Sequence, residues 1–183
     1  GLLGVGLPVV REVVEALREH PSAVEVSGAG SVRRGRETFR DLDVIATATD
    51  PAALLGHFVT LPWVLEVAAH GDTKATVVTK QGLRIDLRVV PPEDYGSLLQ
   101  HFTGSKDHNV ALREDAQRRG LSISEYGVAA VESGEVHRFG TEEELYDFLG
   151  YAWIPPELRE NGGELAAARS RDLPALVEVS DLT

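Results

Sequence analysis

Three aspartates have the residue type and spacing that a divalent metal site requires. Asp41 and Asp43 are two residues apart in a segment with a strand pattern, so their side chains point to the same face. Asp86 lies in a second alternating segment, Arg84 to Arg88, and the three carboxylates converge if the two strands are neighbours. Converging carboxylates repel one another without a cation, whereas Mg²⁺ prefers a few carboxylates with water and phosphate oxygens. The trio predicts a site for two Mg²⁺ or Mn²⁺ ions, although an isolated Asp-x-Asp is more often a solvent-facing strand end.

A segment rich in glycine and arginine precedes the first two aspartates. Gly30, Ser31 and Arg34 belong to the sequence Gly-Ser-Val-Arg-Arg-Gly, which follows a predicted strand and ends 6 residues before Asp41. Glycine lets a backbone approach a phosphate closely, the serine supplies a hydroxyl, and the arginine fork matches phosphate oxygens. Further positive charge comes from Arg33, Arg36 and Arg40. A polyphosphate is therefore predicted to bind at this loop while its metal ions bind at the carboxylates.

The elements that position these residues can be predicted from hydrophobic periodicity. Strands are predicted at residues 23–26, 42–47, 64–69, 75–79 and 83–90. Helices are predicted from Pro8 to Leu17 and from Pro51 to Phe58. This pattern indicates an α/β (α+β) fold with a mixed sheet of about five strands flanked by helices.

The pattern changes after Pro91 and Pro92 and becomes mostly helical. Helices are predicted at 94–102, 109–119 and 141–149, the last with Thr141 as its N-cap, and short strands at 121–123 and 128–131. We therefore divide the chain into a first domain of residues 1–92, a small, mostly helical subdomain of residues 93–152, and a tail or linker of residues 153–183.

Composition limits the function classes. The net charge of −11 taken alone argues against a nucleic-acid partner, but residues 114–183 carry 6 basic and 15 acidic side chains, whereas residues 30–113 carry 10 of each. The absence of cysteine and of a long apolar stretch predicts a cytoplasmic protein without a membrane span. The histidines lack metal-binding spacing, and we expect His101 and His108 on a solvated helix face.

Taken in order, the motifs resemble those of the family X DNA polymerases, which include the vertebrate repair polymerase beta and bacterial relatives. Gly-Ser-x-x-Arg-Gly, Asp-x-Asp and Arg-Ile-Asp-x-Arg resemble the palm of that family. The segment from His101 to Ser105, followed by Asn109 and Arg113, resembles its nucleotide-selecting helix and the preceding turn. Glu125-Tyr126-Gly127 and residues 153–160 also match, so the resemblance covers about residues 8–160.

The resemblance implies a DNA-directed DNA polymerase that transfers a dNMP to a primer 3′ hydroxyl and fills short gaps in base excision repair. Asp41 and Asp43 would bridge both ions, and Asp86 would bind the ion that activates the primer hydroxyl. The residues implied for the incoming nucleotide are Gly30, Ser31 and Arg34 at the triphosphate, His101, Phe102 and Gly104 at the sugar, and Asn109 at the minor-groove edge of the base. Those implied for DNA are Arg113 at the template, Arg84 at the primer, Arg88 beside Asp86, and Lys74 in a phosphate-contacting hairpin.

Two residues depart from the family pattern. His101 stands where vertebrate members often have a phenol, so we expect altered ribose discrimination. Lys106 stands where some relatives carry an acid, and a cation there is expected to strengthen nucleotide binding before DNA arrives.

The expected partners are gapped or primed DNA and a dNTP, with the protein acting as a monomer. The chain starts with Gly and contains no methionine, so we expect a fragment without the family's N-terminal DNA-binding and lyase region and without the C-terminal phosphoesterase domain of bacterial members. Two alternatives stay open at this point. One is a nucleotidyltransferase that acts on RNA, protein or a small molecule, and the other is a weakly active DNA- or nucleotide-binding fragment of a larger repair protein.

Overall fold

The computed structural model describes the backbone of residues 3–36 and 41–169, and the side chains of these residues from residue 9 onward. Arg40 and residues 170–183 of the predicted tail lie outside the described residues. The chain divides into two compact units, Gly1–Tyr95 and Gly96–Thr183, whereas the sequence predicted the first boundary after residue 92.

The described part of the first unit is built from a five-stranded sheet and three helices. Its elements are α1 (Leu3–Arg18), β1 (Ala23–Ala29), α2 (Gly30–Arg33), β2 (Asp41–Ala48), α3 (Pro51–Val59), β3 (Val64–His70), β4 (Lys74–Thr79) and β5 (Arg84–Val89). The strand order is β1-β2-β5-β4-β3, and only the β2–β5 pair among these is parallel. The predicted mixed sheet of five strands is confirmed.

The strand pattern separates a core face from a polar face in the centre of this sheet. Along β5 and the first half of β2 alternate residues are buried, and those of this set form one apolar cluster with side chains of α1 and α3. The cluster includes Leu42, Val44, Ile85, Leu87, Leu17 and Phe58. Because successive strand residues point to opposite faces, the residues between them are turned away from this core. The core therefore fixes which side chains of β2 and β5 face the other way.

The second unit combines four helices with a small antiparallel sheet in its described part. Its elements are α4 (Tyr95–Thr103), α5 (Lys106–Arg118), β6 (Leu121–Ser124), β7 (Gly127–Ala130), β8 (Val136–His137), α6 (Glu142–Phe148) and α7 (Glu164–Arg169). The N-cap predicted at Thr141 is confirmed, since its hydroxyl accepts from the Glu144 backbone N–H at 3.2 Å. No helix of the described residues is long and apolar enough to cross a membrane.

The segment from residue 153 to 169 is not the surface tail that the sequence predicted. Ile154 and Arg159 are completely buried, and Ala168 on α7 packs in the core of the second unit. The Arg159 guanidinium donates to both carboxylate oxygens of Glu142, at 2.8 and 3.1 Å, and its Nε donates to the Ile154 carbonyl. The charged and proline-rich composition suggested exposure, but a buried counter-ion lets this arginine enter the interior.

Three smaller predictions also differ from the structure. Helix α1 begins at Leu3 rather than at Pro8, although a proline at its sixth position has no N–H to donate to the carbonyl of Gly4. Gly30–Arg33, expected as a loop, forms the short helix α2, and the two-residue strand β8 was not predicted. Both elements are too short for a periodic pattern to reveal.

The buried ion pair of the second unit gives a first testable prediction. Glu142→Gln keeps the side-chain size but leaves the Arg159 charge without its counter-ion, which should lower the free energy of unfolding by about 3 kcal/mol. Glu143→Gln is the matched control, because Glu143 is exposed on the same helix. Urea unfolding measures both variants, and equal stability of the two would contradict the assignment.

Candidate active site

The parallel pairing of β2 with β5 brings the predicted aspartates to one face of the sheet. Asp43 lies opposite Asp86 in the register, and Asp41 lies opposite Arg84. Since Asp41 is two residues from Asp43, its side chain points to the same face as the other two carboxylates. Asp41 is exposed, whereas Asp43 and Asp86 are half-buried. The neighbour relation on which the predicted convergence depended is therefore present.

The electrostatics of Asp43 reflect its neighbours. Burial raises the pKa of the Asp43 carboxyl, Arg88 lowers it, and the carboxylates of Asp86 and Asp41 raise it again, with a net result above the ordinary value. Arg88 Nη1 donates to Asp43 Oδ1 at 3.2 Å, and both side chains are less than a third exposed. Arg88 thus compensates part of the negative charge of Asp43.

Asp86 is oriented by a residue that the sequence analysis missed. Thr76 on β4 lies opposite Asp86, and its hydroxyl donates to Asp86 Oδ1 at 2.5 Å. This hydrogen bond restricts the rotation of the Asp86 carboxylate. The signal that could have found Thr76 is its position two residues after Lys74, on the same face of the predicted strand.

The glycine- and arginine-rich loop begins beside the carboxylates. Ala29, the last residue of β1, lies opposite Asp43, so Gly30 follows directly at the site. Gly30 has φ +70° and Gly35 has φ +75°, a conformation that favours glycine, and between them the chain makes the single turn of α2. The Ser31 carbonyl accepts from the Arg36 N–H at 2.8 Å, which closes the loop, and Arg34 is half-buried at its end.

The donor set of the site fits a hard divalent cation. In residues 9–36 and 41–169, no three His, Asp or Glu side chains are placed closely enough to hold a metal ion together. The three aspartates offer only oxygen donors, which are the ligands that Mg²⁺ and Mn²⁺ prefer. Burial is the main cause of the raised pKa of Asp43, and the neighbouring carboxylates add a repulsion that a cation would relieve.

Two more predicted cations lie on strands beside the trio. Arg84 begins β5 and is exposed, and Lys74 begins β4, where it lies opposite Arg88. Alternation along the strands puts Arg84, Asp86 and Arg88 on one face. Basic side chains therefore flank the acids along the strand direction.

The second unit groups the predicted nucleotide-selecting residues at the junction of α4 and α5. The rings of His101 and Phe102 meet edge to face with their centroids 4.9 Å apart. Gly104 has φ +69°, and the peptide bond between Gly104 and Ser105 is cis. The Ser105 hydroxyl caps α5 by accepting from the His108 N–H at 3.1 Å.

The first turns of α5 carry the other predicted residues of this group. Lys106 is exposed, Asn109 is buried and Arg113 is half-buried. Gln100 Nε2 donates to Asn109 Oδ1 at 2.7 Å, and Asn109 Nδ2 donates to the His101 carbonyl at 3.0 Å. Gln100 is a second residue that sequence reasoning missed, since its partner is nine positions away on another helix.

His108 is completely buried, which corrects its predicted position on a solvated helix face. Its Nδ1 lies 2.5 Å from Glu164 Oε2 and its Nε2 lies 2.9 Å from the Tyr146 hydroxyl. Burial lowers the pKa of His108, and the Glu164 carboxylate opposes that shift without cancelling it. The imidazole thus connects α5 to α6 and α7.

A measurement of pKa tests the convergence of the carboxylates independently of activity. Asp86→Asn removes one repelling charge, so the pKa of Asp43 should fall in a ¹³C carboxyl NMR titration. The raised pKa of Asp43 means that its ionisation destabilises the fold above the folded pKa, and the variant should recover part of this stability at neutral pH. Asp72→Asn, in the exposed turn between β3 and β4, is the control. If the pKa of Asp43 is unchanged in Asp86→Asn, the two carboxylates do not interact, and their convergence is contradicted.

Comparison with known proteins gives several similar relatives, three of which are as follows. The chain is 43% identical over 165 residues to "DNA polymerase/3′-5′ exonuclease PolX" of Bacillus subtilis, an alignment that covers 89% of the chain and 29% of that protein. It is 27% identical to proteins named DNA polymerase lambda from Arabidopsis thaliana and Rattus norvegicus, over 74% and 72% of the chain and 32% and 28% of those proteins. The chain therefore spans less than a third of the length of each of these relatives.

A family match falls in the second unit. Residues 98–160 match the family described as "DNA polymerase beta thumb". This range contains the His101 to Ser105 segment, all of α5, and the buried residue Arg159. With the resemblance of the motifs in the first unit and the 43% identity across most of the chain, it follows that the chain belongs to the family X DNA polymerases.

Proposed function

We propose that this chain carries the catalytic centre of a DNA-directed DNA polymerase that transfers a dNMP to a primer 3′ hydroxyl and releases pyrophosphate. The observation that carries the proposal is the β2–β5 register, which sets Asp43 against Asp86 with Asp41 on the same face. The names of the relatives, which are all DNA polymerases, support the same reaction.

The chemistry follows from the donor set. Bound at such a site, two Mg²⁺ or Mn²⁺ ions supply charge neutralisation and an activated hydroxyl nucleophile. Asp41 and Asp43 would hold both ions, and Asp86 would hold the one at the primer end. The hydrogen bond from Thr76 keeps Asp86 Oδ1 in one orientation, so the second oxygen is available to an ion or to the proton of the attacking hydroxyl.

Binding of the nucleotide is supported by two separate groups of residues. In the first unit, the loop that contains Gly30, Ser31 and Arg34 begins beside Asp43, and these residue types are suited to binding the triphosphate. The group in the second unit comprises His101, Phe102 and Gly104 for the sugar, Lys106 for the phosphates or base, Asn109 for the minor-groove edge of the base and Arg113 for the template strand. Arg84, Arg88 and Lys74 would contact DNA or flank the metal-binding carboxylates.

The substrate is proposed to be gapped or primed DNA, with the protein acting as a monomer in short-gap repair. Residues 114–183 carry most of the net negative charge of the chain. The basic residues of the first unit must therefore attract the DNA backbone in spite of the repulsion from those acidic side chains. Contacts of this kind weaken steeply as the salt concentration rises, because the counter-ions that binding releases from the DNA then gain less entropy.

Single-nucleotide extension on a gapped duplex tests the proposed reaction. Asp43→Asn and Asp86→Asn should each lower kcat/KM by at least about 100-fold with Mg²⁺ or Mn²⁺, because the charge stabilisation lost amounts to several kcal/mol. Asp72→Asn makes the same chemical change at an exposed turn and should retain the wild-type rate.

Two outcomes of this experiment would contradict the proposal. Equal activity of wild type and Asp86→Asn would contradict the proposed metal-binding role of Asp41, Asp43 and Asp86. Nucleotide addition that ignores the template base would indicate a nucleotidyltransferase of another class.

The exposed Lys106 gives a prediction about nucleotide binding without DNA. Lys106→Ala should weaken dNTP binding by about two- to fivefold, since an exposed charge pair contributes up to about 1 kcal/mol. Lys80→Ala, at another exposed position, is the control for loss of a positive charge. Isothermal titration with a dNTP and Mg²⁺ measures both, and unchanged affinity in Lys106→Ala would refute the role of Lys106.

A further inference from the structure

A buried glutamine determines how the Asn109 side chain is presented. Gln100 is 2% exposed on α4 and Asn109 is 8% exposed on α5. The Asn109 amide is held at both ends by consecutive residues of α4: Gln100 Nε2 donates to its Oδ1 at 2.7 Å, and its Nδ2 donates to the His101 carbonyl at 3.0 Å. The amide plane is therefore set by the end of α4 rather than by α5 alone.

The direction of this chain of hydrogen bonds is fixed chemically. A backbone carbonyl can only accept, so the atom of Asn109 that faces the His101 carbonyl must be the nitrogen Nδ2. The oxygen Oδ1 then faces Gln100, which must offer its own nitrogen. Rotating the Asn109 amide by half a turn would place two acceptors against each other at His101 and two donors against each other at Gln100.

The fixed direction has a consequence for base recognition. The Asn109 Nδ2 carries two hydrogens, and the bond to His101 uses one of them. The other hydrogen leaves the amide with one remaining donor on Nδ2, whereas Oδ1 is directed to Gln100. The minor-groove edge of a base presents an acceptor at purine N3 or pyrimidine O2, so a fixed donor suits any correctly placed base, whereas a fixed acceptor would repel it.

We infer that Gln100 is a positioning residue for nucleotide selection: it locks Asn109 with an N–H group directed to the minor-groove edge of the incoming base. The inference rests on the proposed function, in which Asn109 contacts that edge. Locking is effective because both amides are buried, so that breaking their hydrogen bond leaves polar atoms without water. A donor oriented before the nucleotide arrives also avoids the entropy loss of ordering it on binding.

The test compares dGTP with 3-deaza-dGTP, which lacks the N3 acceptor, in single-nucleotide extension opposite a template cytosine. Wild type should prefer dGTP by about fivefold in kcat/KM, the value of one hydrogen bond. Asn109→Ala should reduce this preference to near one. This variant gives the reference value of the preference when the donor is absent.

Two variants of Gln100 remove its donor in different ways. Gln100→Glu in its ionised form offers only acceptors to Asn109 Oδ1, and Gln100→Leu keeps the apolar bulk without any polar group, whatever the pH. Both should reduce the dGTP preference to less than about twofold. Gln117→Glu, the same change at an exposed position of α5, should retain the wild-type preference. Thermal unfolding identifies the folded variants, and Gln100→Leu keeps the test valid if the buried charge of Gln100→Glu prevents folding.

The outcomes separate this inference from the proposed function. A merely structural role for Gln100 would lower kcat/KM for both nucleotides equally, and a preserved preference in the folded Gln100 variants would overturn the inference. Wild type that extends the primer with no preference between the two nucleotides would also overturn it, while leaving the polymerase function intact. Wild type that extends no primer would overturn both.

Discussion

Carboxylates repel one another, and the parallel pairing of β2 with β5 holds Asp43 and Asp86 side by side in spite of that repulsion. The register cannot slip by one residue, because a slip would turn Leu42 and Val44 out of the core and bring the aspartates into it. The hydrophobic burial of one face therefore enforces an electrostatically unfavourable arrangement on the other. Burial is the main cause of the raised pKa of the Asp43 carboxyl, and the repulsion from Asp86 and Asp41 adds to that rise.

The surroundings of the trio reduce the repulsion without removing it. Arg88 neutralises part of the charge on Asp43, and the neutral hydroxyl of Thr76 donates a hydrogen bond to Asp86. The same sheet brings the phosphate-suited loop to the site, because Gly30 follows the residue of β1 that lies opposite Asp43. The strand order therefore brings the acidic residues and the glycine- and arginine-rich loop to the same part of the sheet.

Local patterns predicted the parts of this arrangement that depend on period and residue type. The five strands and the same-face position of Asp41 and Asp43 follow from alternation, and their pairing with Asp86 was predictable only on the condition that the strands are neighbours. Residues chosen by tertiary contact were not predictable. His108 and Glu164 are 56 positions apart, and Arg159 and Glu142 are 17 apart, so no sequence window contains both partners. Charge alone suggested a surface for Arg159, and only its buried counter-ion reverses that expectation.

The interior of the second unit shows what directional contacts add to apolar packing. Apolar packing is non-directional, so it can hold a helix in place without fixing the rotation of a side-chain amide. Hydrogen bonds are directional, and the first turns of α5 are held by several: Ser105 caps the helix, His108 links it to Glu164 and Tyr146, and Gln100 orients Asn109. Each buried polar group carries a desolvation cost that its partner must offset. A protein that only needed a stable helix here would do as well with leucine, so the polar choice fits a site where the direction of one N–H group decides recognition.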